Sequence, residues 1–190
     1  MSRELSMRHG DWMQTFTGRQ FWPVDPRAEE VCIVDIAHAL SMQCRYAGHS
    51  LRFYSVAEHS CHLHDAAPPE HRAWALLHDA SEAYLVDVPR PVKPFLGGYA
   101  EAEDEVMRAI CRRFGLSEVM PAAVKALDGR ILVDEREQNM SVPPTAWADT
   151  GEAIGVRLRF WSPQEAKAEF LARFNALPPP EQSPTPEDRS

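Results

Sequence analysis

Apolar positions recur at helical spacing along most of the chain, and no stretch sustains the alternation of a strand. Ile36, Leu40 and Cys44 share one face of a helix that Asp35 can N-cap and Gly48 can end. Ser55, Val56, Ala57 and Glu58 have the form of a capping box, which starts a second helix and places His59 just past its first turn. Pro68 and Pro69 close that helix and open the next, HRAWALLHDASEAYL, over 71–85. Prolines 89, 91 and 94 make 86–94 a stiff, non-helical loop. In EAEDEVMRAICRRFGL, Val106, Ile110 and Phe114 recur at helical spacing with Gly115 as stop, and Pro121 opens a further helix that contains Asp128. Ser162-Pro163-Gln164-Glu165 is a second capping box, starting a last helix that runs to about Leu177.

The ends behave differently. Residues 1–30 read as an irregular arm, punctuated by Gly18, Pro23 and Pro26 and carrying the aromatic anchors Phe16, Phe21 and Trp22, expected along the domain surface or on a second subunit. Residues 178–190 are proline-rich and apolar-poor, the composition of a disordered tail. Between them, 31–177 is expected to form one all-α domain, a compact helical bundle without internal repeats. At 190 residues and 44% hydrophobic composition the chain can bury a core of its own.

Charge and cysteine usage narrow the function. Twenty Lys and Arg stand against 28 Asp and Glu, a net of −8, which argues against a nucleic-acid polymer as partner. A small anion stays open, because a metal ion and a few basic side chains reverse the sign locally. Cys32, Cys44, Cys61 and Cys111 lack a CxxC pairing and read as reduced thiols. No stretch approaches a membrane span or a signal peptide, so a cytoplasmic protein is the expectation.

Residues 55–87 concentrate metal-type ligands in alanine-rich helical sequence that does not need them for packing: His59, the adjacent pair His78-Asp79, Glu82 and Asp87. Together with Asp128 on a later helix, His59, His78 and Asp79 offer two nitrogens and two carboxylates to one divalent cation. A shell of that kind, without thiolate, suits Mn²⁺, Co²⁺, Fe²⁺, Ni²⁺ or Zn²⁺. Glu82, one turn past the pair, can orient or deprotonate a metal-bound water, and Asp87 can protonate a leaving oxygen or steer water; acid and base are not assigned between them. His38 is expected to hydrogen-bond within a packing layer, and His62 and His64 to be surface residues or supports for the ligands.

The order of His59, then His78-Asp79, then Asp128 in VKALD resembles the HD-domain phosphohydrolases. YSVAEHS, LLHDASEAYLVDVPRPVK and the distal element look like the 5'-deoxynucleotidase branch, and the compact phage deoxynucleoside triphosphohydrolases are similar too; the likeness covers roughly 31–140. It implies the four-ligand set above and a phosphate-contacting arginine upstream of the first histidine. Arg45 takes that place, with a spacing to His59 one residue shorter than in the nucleotidase, and Arg52 is the alternative. Lys93 and Lys125 are candidates for further phosphate charge, and Tyr46 either stacks on a sugar or base or serves as a core aromatic. The implied activity is cleavage of a nucleotide 5'-phosphate ester by metal-bound water. The alternatives are release of triphosphate from a dNTP and a non-catalytic nucleotide-binding sensor, and a homo-oligomer is a further expectation.

Overall fold

A computed structural model describes residues 8–147 and 151–179, and over them the protein is all-α apart from one two-residue hairpin. The helices are α1 (Ile33–Met42), α2 (Val56–Ala66), α3 (Arg72–Leu77), α4 (Glu82–Leu85), α5 (Tyr99–Phe114), α6 (Ala122–Asn139) and α7 (Pro163–Ala176). Helix α2 is the axis of the arrangement, packed against α1, α3, α6 and α7. One apolar cluster joins Ile36 and Leu40 of α1, Val56 and Cys61 of α2, Leu76 and Leu77 of α3, and Phe170 of α7. A second joins Leu63, Trp74, Cys111, Val124 and Ile131, tying α2 and α3 to α5 and α6.

Because α2 is surrounded, every residue from Val56 to His64 is buried, five polar ones included. Buried polar groups destabilise unless they are bonded, and Glu58 is the clearest answer. Ser55 Oγ accepts from the Glu58 amide as a capping box requires, but the Glu58 carboxylate does not return to Ser55. It accepts the backbone amides of Arg159, Phe160 and Trp161 at 2.7–2.9 Å, fixing the segment that leads into α7. Only half of the expected box therefore forms. At Ser162 both halves are present, and Gly115, left-handed at φ 70°, ends α5 as expected.

Further expectations need correction. Helix α1 starts at Ile33, with Asp35 inside its first turn, and stops at Met42. Asp35 cannot cap because its carboxylate accepts the amide (2.7 Å) and hydroxyl (2.9 Å) of Thr17. Pairing of Arg45 N with Tyr54 O and of Val56 N with Gln43 O draws the chain out of the helix before Gly48.

The expected helix over 71–85 is also interrupted. Residues 78–81 form a tightened turn, with Ala80 N on Leu77 O and Glu82 N on Asp79 O, both 3.0 Å. The Ala75 carbonyl accepts from His78 Nδ1 at 2.8 Å.

Nor is the arm merely superficial. Strands β1 (Met13–Gln14) and β2 (Gln20–Phe21) pair antiparallel, and Phe21 is fully buried, stacked on Tyr84 of α4 at 3.8 Å. Phe16 stays exposed and stacks on His38 at 3.7 Å, the contact found for His38 among the described residues where a packing-layer hydrogen bond is expected. His62 and His64 are buried instead of superficial, beside Glu58 and Asp65. From residue 180 the expected tail lies outside the described residues.

Candidate functional site

Helices α2 and α6 and the turn after α3 bring His59, Asp128 and His78 together. His59 Nε2 and His78 Nε2 are 3.2 Å apart, and Asp128 Oδ1 lies 3.3 and 3.8 Å from them. These three residues can hold a metal ion. Asp79 Oδ2 is 3.1 Å from His78 Nε2 and 3.7 Å from His59 Nε2. The interrupted helix is what allows this, since the turn at 78–81 directs adjacent residues to one centre.

The opposite ring nitrogens decide the chemistry. His78 Nδ1 meets the Ala75 carbonyl, and His59 Nδ1 meets Glu135 Oε1 at 2.6 Å. Both acceptors call for an N–H at Nδ1, which leaves both Nε2 atoms as lone-pair donors facing each other and two carboxylates. A cation reconciles that arrangement. Without one, protonation must: burial and then Arg45 lower the His59 pKa, yet Glu135 and Asp128 more than offset them and carry it to about 9. Burial opposes ionisation of Asp128 as well, but the hydrogen bond with His59 and the charge of His78 bring it down to about 2.

A cavity of about 460 Å³ opens over the centre, a size that suits a small organic ligand. Arg45, Tyr46, Asp79, Glu82, Asp87, Lys93 and Asp128 all line it. Arg45 is buried, its guanidinium 3.5 Å from Asp79 Oδ2 and 3.4 Å from Glu135 Oε2, and its Nε has no hydrogen-bond partner among the described residues. Tyr46 donates its hydroxyl to Glu135 Oε2. Tyr46 and Ala47 are left-handed (φ 57° and 51°), and Val86, just before Asp87, has φ 72°. Backbone strain of this kind in non-glycine residues is found where the surroundings impose it, often at functional sites.

Glu82 Oε2 is buried without a hydrogen-bond partner among the described residues. Burial, then the Asp79 and Asp87 carboxylates, push its pKa up to about 10. Burial also raises Asp87. Lys93 lines the wall but is committed to Glu103 at 2.7 Å.

Two candidates fall outside. Lys125 is exposed on α6 and does not line the cavity. The Arg52 guanidinium sits over the Phe160 ring at 3.8 Å, away from the cavity lining, so Arg45 is the arginine facing the centre. The sequence reading missed Glu135, Arg90 and Trp147. Glu135 had a legible signal: seven residues after Asp128, it lies two turns along the same face of α6. Trp147 and Arg90 reach the cavity from irregular segments, where no periodicity marks them.

No protein-family model matches the chain. It is 35% identical over 170 residues to the uncharacterized protein YfdR of Escherichia coli (strain K12), covering 87% of this chain and 95% of that one. An uncharacterized protein of Rhodobacter capsulatus is 33% identical over 186 residues, with the same two shares covered. The conclusion from similarity of this extent is that the chain belongs to the family of YfdR.

Proposed function

We propose that this protein is a divalent-metal-dependent phosphohydrolase of the HD-domain kind, cleaving the 5'-phosphate ester of a nucleotide, with deoxynucleotides as the first class to test. The observation that carries this reading is the pair of opposed Nε2 atoms, each backed by an acceptor at Nδ1, between the carboxylates of Asp128 and Asp79. Asp79 serves as the fourth ligand. The donor set fits Mn²⁺, Co²⁺, Fe²⁺, Ni²⁺ or Zn²⁺. When bound, such an ion supplies Lewis acidity toward a phosphoryl oxygen and a water of lowered pKa.

The chain's own residues do the rest. Arg45 presents a buried guanidinium beside the centre, able to engage phosphate oxygens in pairs. Glu135 orients His59 and anchors Arg45 and Tyr46. Glu82 and Asp87 hold protons at a higher pH than free carboxyls do, Glu82 with Oε2 unpartnered among the described residues, so they are the groups to exchange a proton with the attacking water and the leaving oxygen.

The cavity's charge favours a monophosphate over a triphosphate. Of the lining cations Arg45, Arg90 and Lys93, the last is committed to Glu103, and Lys125, one cation the triphosphate reading relies on, is elsewhere.

The test is a screen of nucleoside mono-, di- and triphosphates with each divalent metal. Orthophosphate released from a monophosphate supports the reading. Tripolyphosphate released from a dNTP would replace it with triphosphohydrolysis, and nucleotide binding without turnover under every metal would replace it with a sensor.

A further inference from the structure

The cavity has a wall that phosphate chemistry does not use. After α6 ends at Asn139 the chain runs through exposed Val142, Pro144, Thr145 and Ala146, then places the half-buried indole of Trp147 in the cavity lining. None of the residues 141–147 belongs to either apolar core cluster, so Trp147 does not hold the fold together from within. The indole contacts Tyr46, 6.1 Å between centroids and tilted by 52°, and the Arg136 guanidinium lies 5.9 Å from its centre. Among the described residues no ring lies parallel to it.

Leu132, Val88, Pro89 and Pro91 extend the apolar lining. A cavity with a charged floor and an aromatic, aliphatic wall complements a ligand that joins an anionic group to a flat apolar one. Inorganic phosphate or a polyphosphate would leave the wall unused.

We infer that Trp147 is a specificity-determining residue: its indole stacks on the planar ring of the substrate, with Tyr46 flanking it, while Arg45 and the ligand cluster take the phosphate. Stacking tolerates any base, because every base presents a π-face, so Trp147 selects phosphate esters that carry an aromatic ring over those that lack one, without choosing among bases. This rests on the phosphohydrolase reading for the identity of the phosphate end only.

The experiment compares wild type, W147A and W147F on deoxyadenosine 5'-monophosphate and on ribose 5-phosphate, with helical content checked by circular dichroism. In W147A the loss falls on KM for the nucleotide, and the ratio of kcat/KM for nucleotide over ribose 5-phosphate drops about tenfold. W147F, which keeps a ring, retains most of that ratio. An unchanged ratio in W147A overturns the inference and leaves the phosphohydrolase reading standing.

If wild type turns over neither ester with any divalent metal, the phosphohydrolase reading fails separately, and stacking is read from binding. Deoxyadenosine 5'-monophosphate should then quench the wild-type indole emission, W147F should lose the quench, and W147A should bind about tenfold more weakly. Equal affinity in W147A, or no binding to wild type, overturns the stacking.

Discussion

Glu135 governs His59 through one hydrogen bond, 2.6 Å long, made with no solvent on either side. Its carboxylate is brought down to about 2, against burial, by Arg45 and His59, so it stays ionised and holds the Nδ1 proton in place. Replacing it by Gln keeps the shape but loses the charge that His59, Tyr46 and Arg45 share. Glu135→Gln should bind Mn²⁺ about 10–100-fold more weakly, the usual effect of removing a ligand's supporting partner, while remaining folded; calorimetric titration giving wild-type affinity would remove Glu135 from the site. Glu82 is a different case, since among the described residues nothing hydrogen-bonds its Oε2, and burial raises its pKa to about 10. Glu82→Gln should keep the metal content by elemental analysis and lower kcat about 10²–10⁴-fold. An unchanged kcat would leave Glu82 as a wall residue.

Helix starts written in local side-chain chemistry could be read from the sequence, and helix ends set by tertiary pairing could not. Ser162 with Glu165 announces α7 because the whole interaction lies within four residues. By contrast α1 ends where residues 43–45 pair with 54–56, a contact that no local pattern announces. Glu58 shows the same limit, because its three amide partners are about a hundred residues away. The seam between α2 and α7 carries a pH dependence that can be measured. Burial raises the Asp65 pKa, but hydrogen bonds from Arg173 (2.6 and 2.9 Å) and His64 more than offset that and hold it below its ordinary 3.8. A folded-state pKa below the unfolded one means the contribution is fully present above about pH 4 and is lost as pH falls through the lower folded value. Asp65→Asn should therefore melt below wild type at pH 7, with the gap closing under acid conditions. A gap in Tm that stays constant down to pH 2 would assign the loss to packing instead.

The centre joins parts of the molecule that are far apart in sequence: α2, the turn after α3, and α6. His59, His78 and Asp128, which the fold brings together, could be picked out because metal ligands come from a short list of residue types, whereas Glu135 was marked only by its spacing from Asp128 on α6 and Trp147 by no pattern at all. The pairing of Glu135 with Arg45 and the Phe21–Tyr84 stack depend on which helices meet, and that is decided by the two apolar clusters. A ligand that bridges three elements stabilises the folded state, because an unfolded chain cannot assemble the donors. At free metal about a hundredfold above Kd the gain is about 2.7 kcal/mol, which for a chain of this size raises Tm by about 5–10 °C. Protein stripped with a chelator and dialysed should melt that much lower than the same protein resupplied with Mn²⁺ or Zn²⁺, and the shift should disappear in His78→Ala. That variant separates the centre from loose binding elsewhere, because the acidic surface and its carboxylates are unchanged while one of the two opposed nitrogens is gone. Equal melting of stripped and resupplied wild type would mean that the opposed histidines are held by a proton and not by a metal, and the proposed chemistry would lose its foundation.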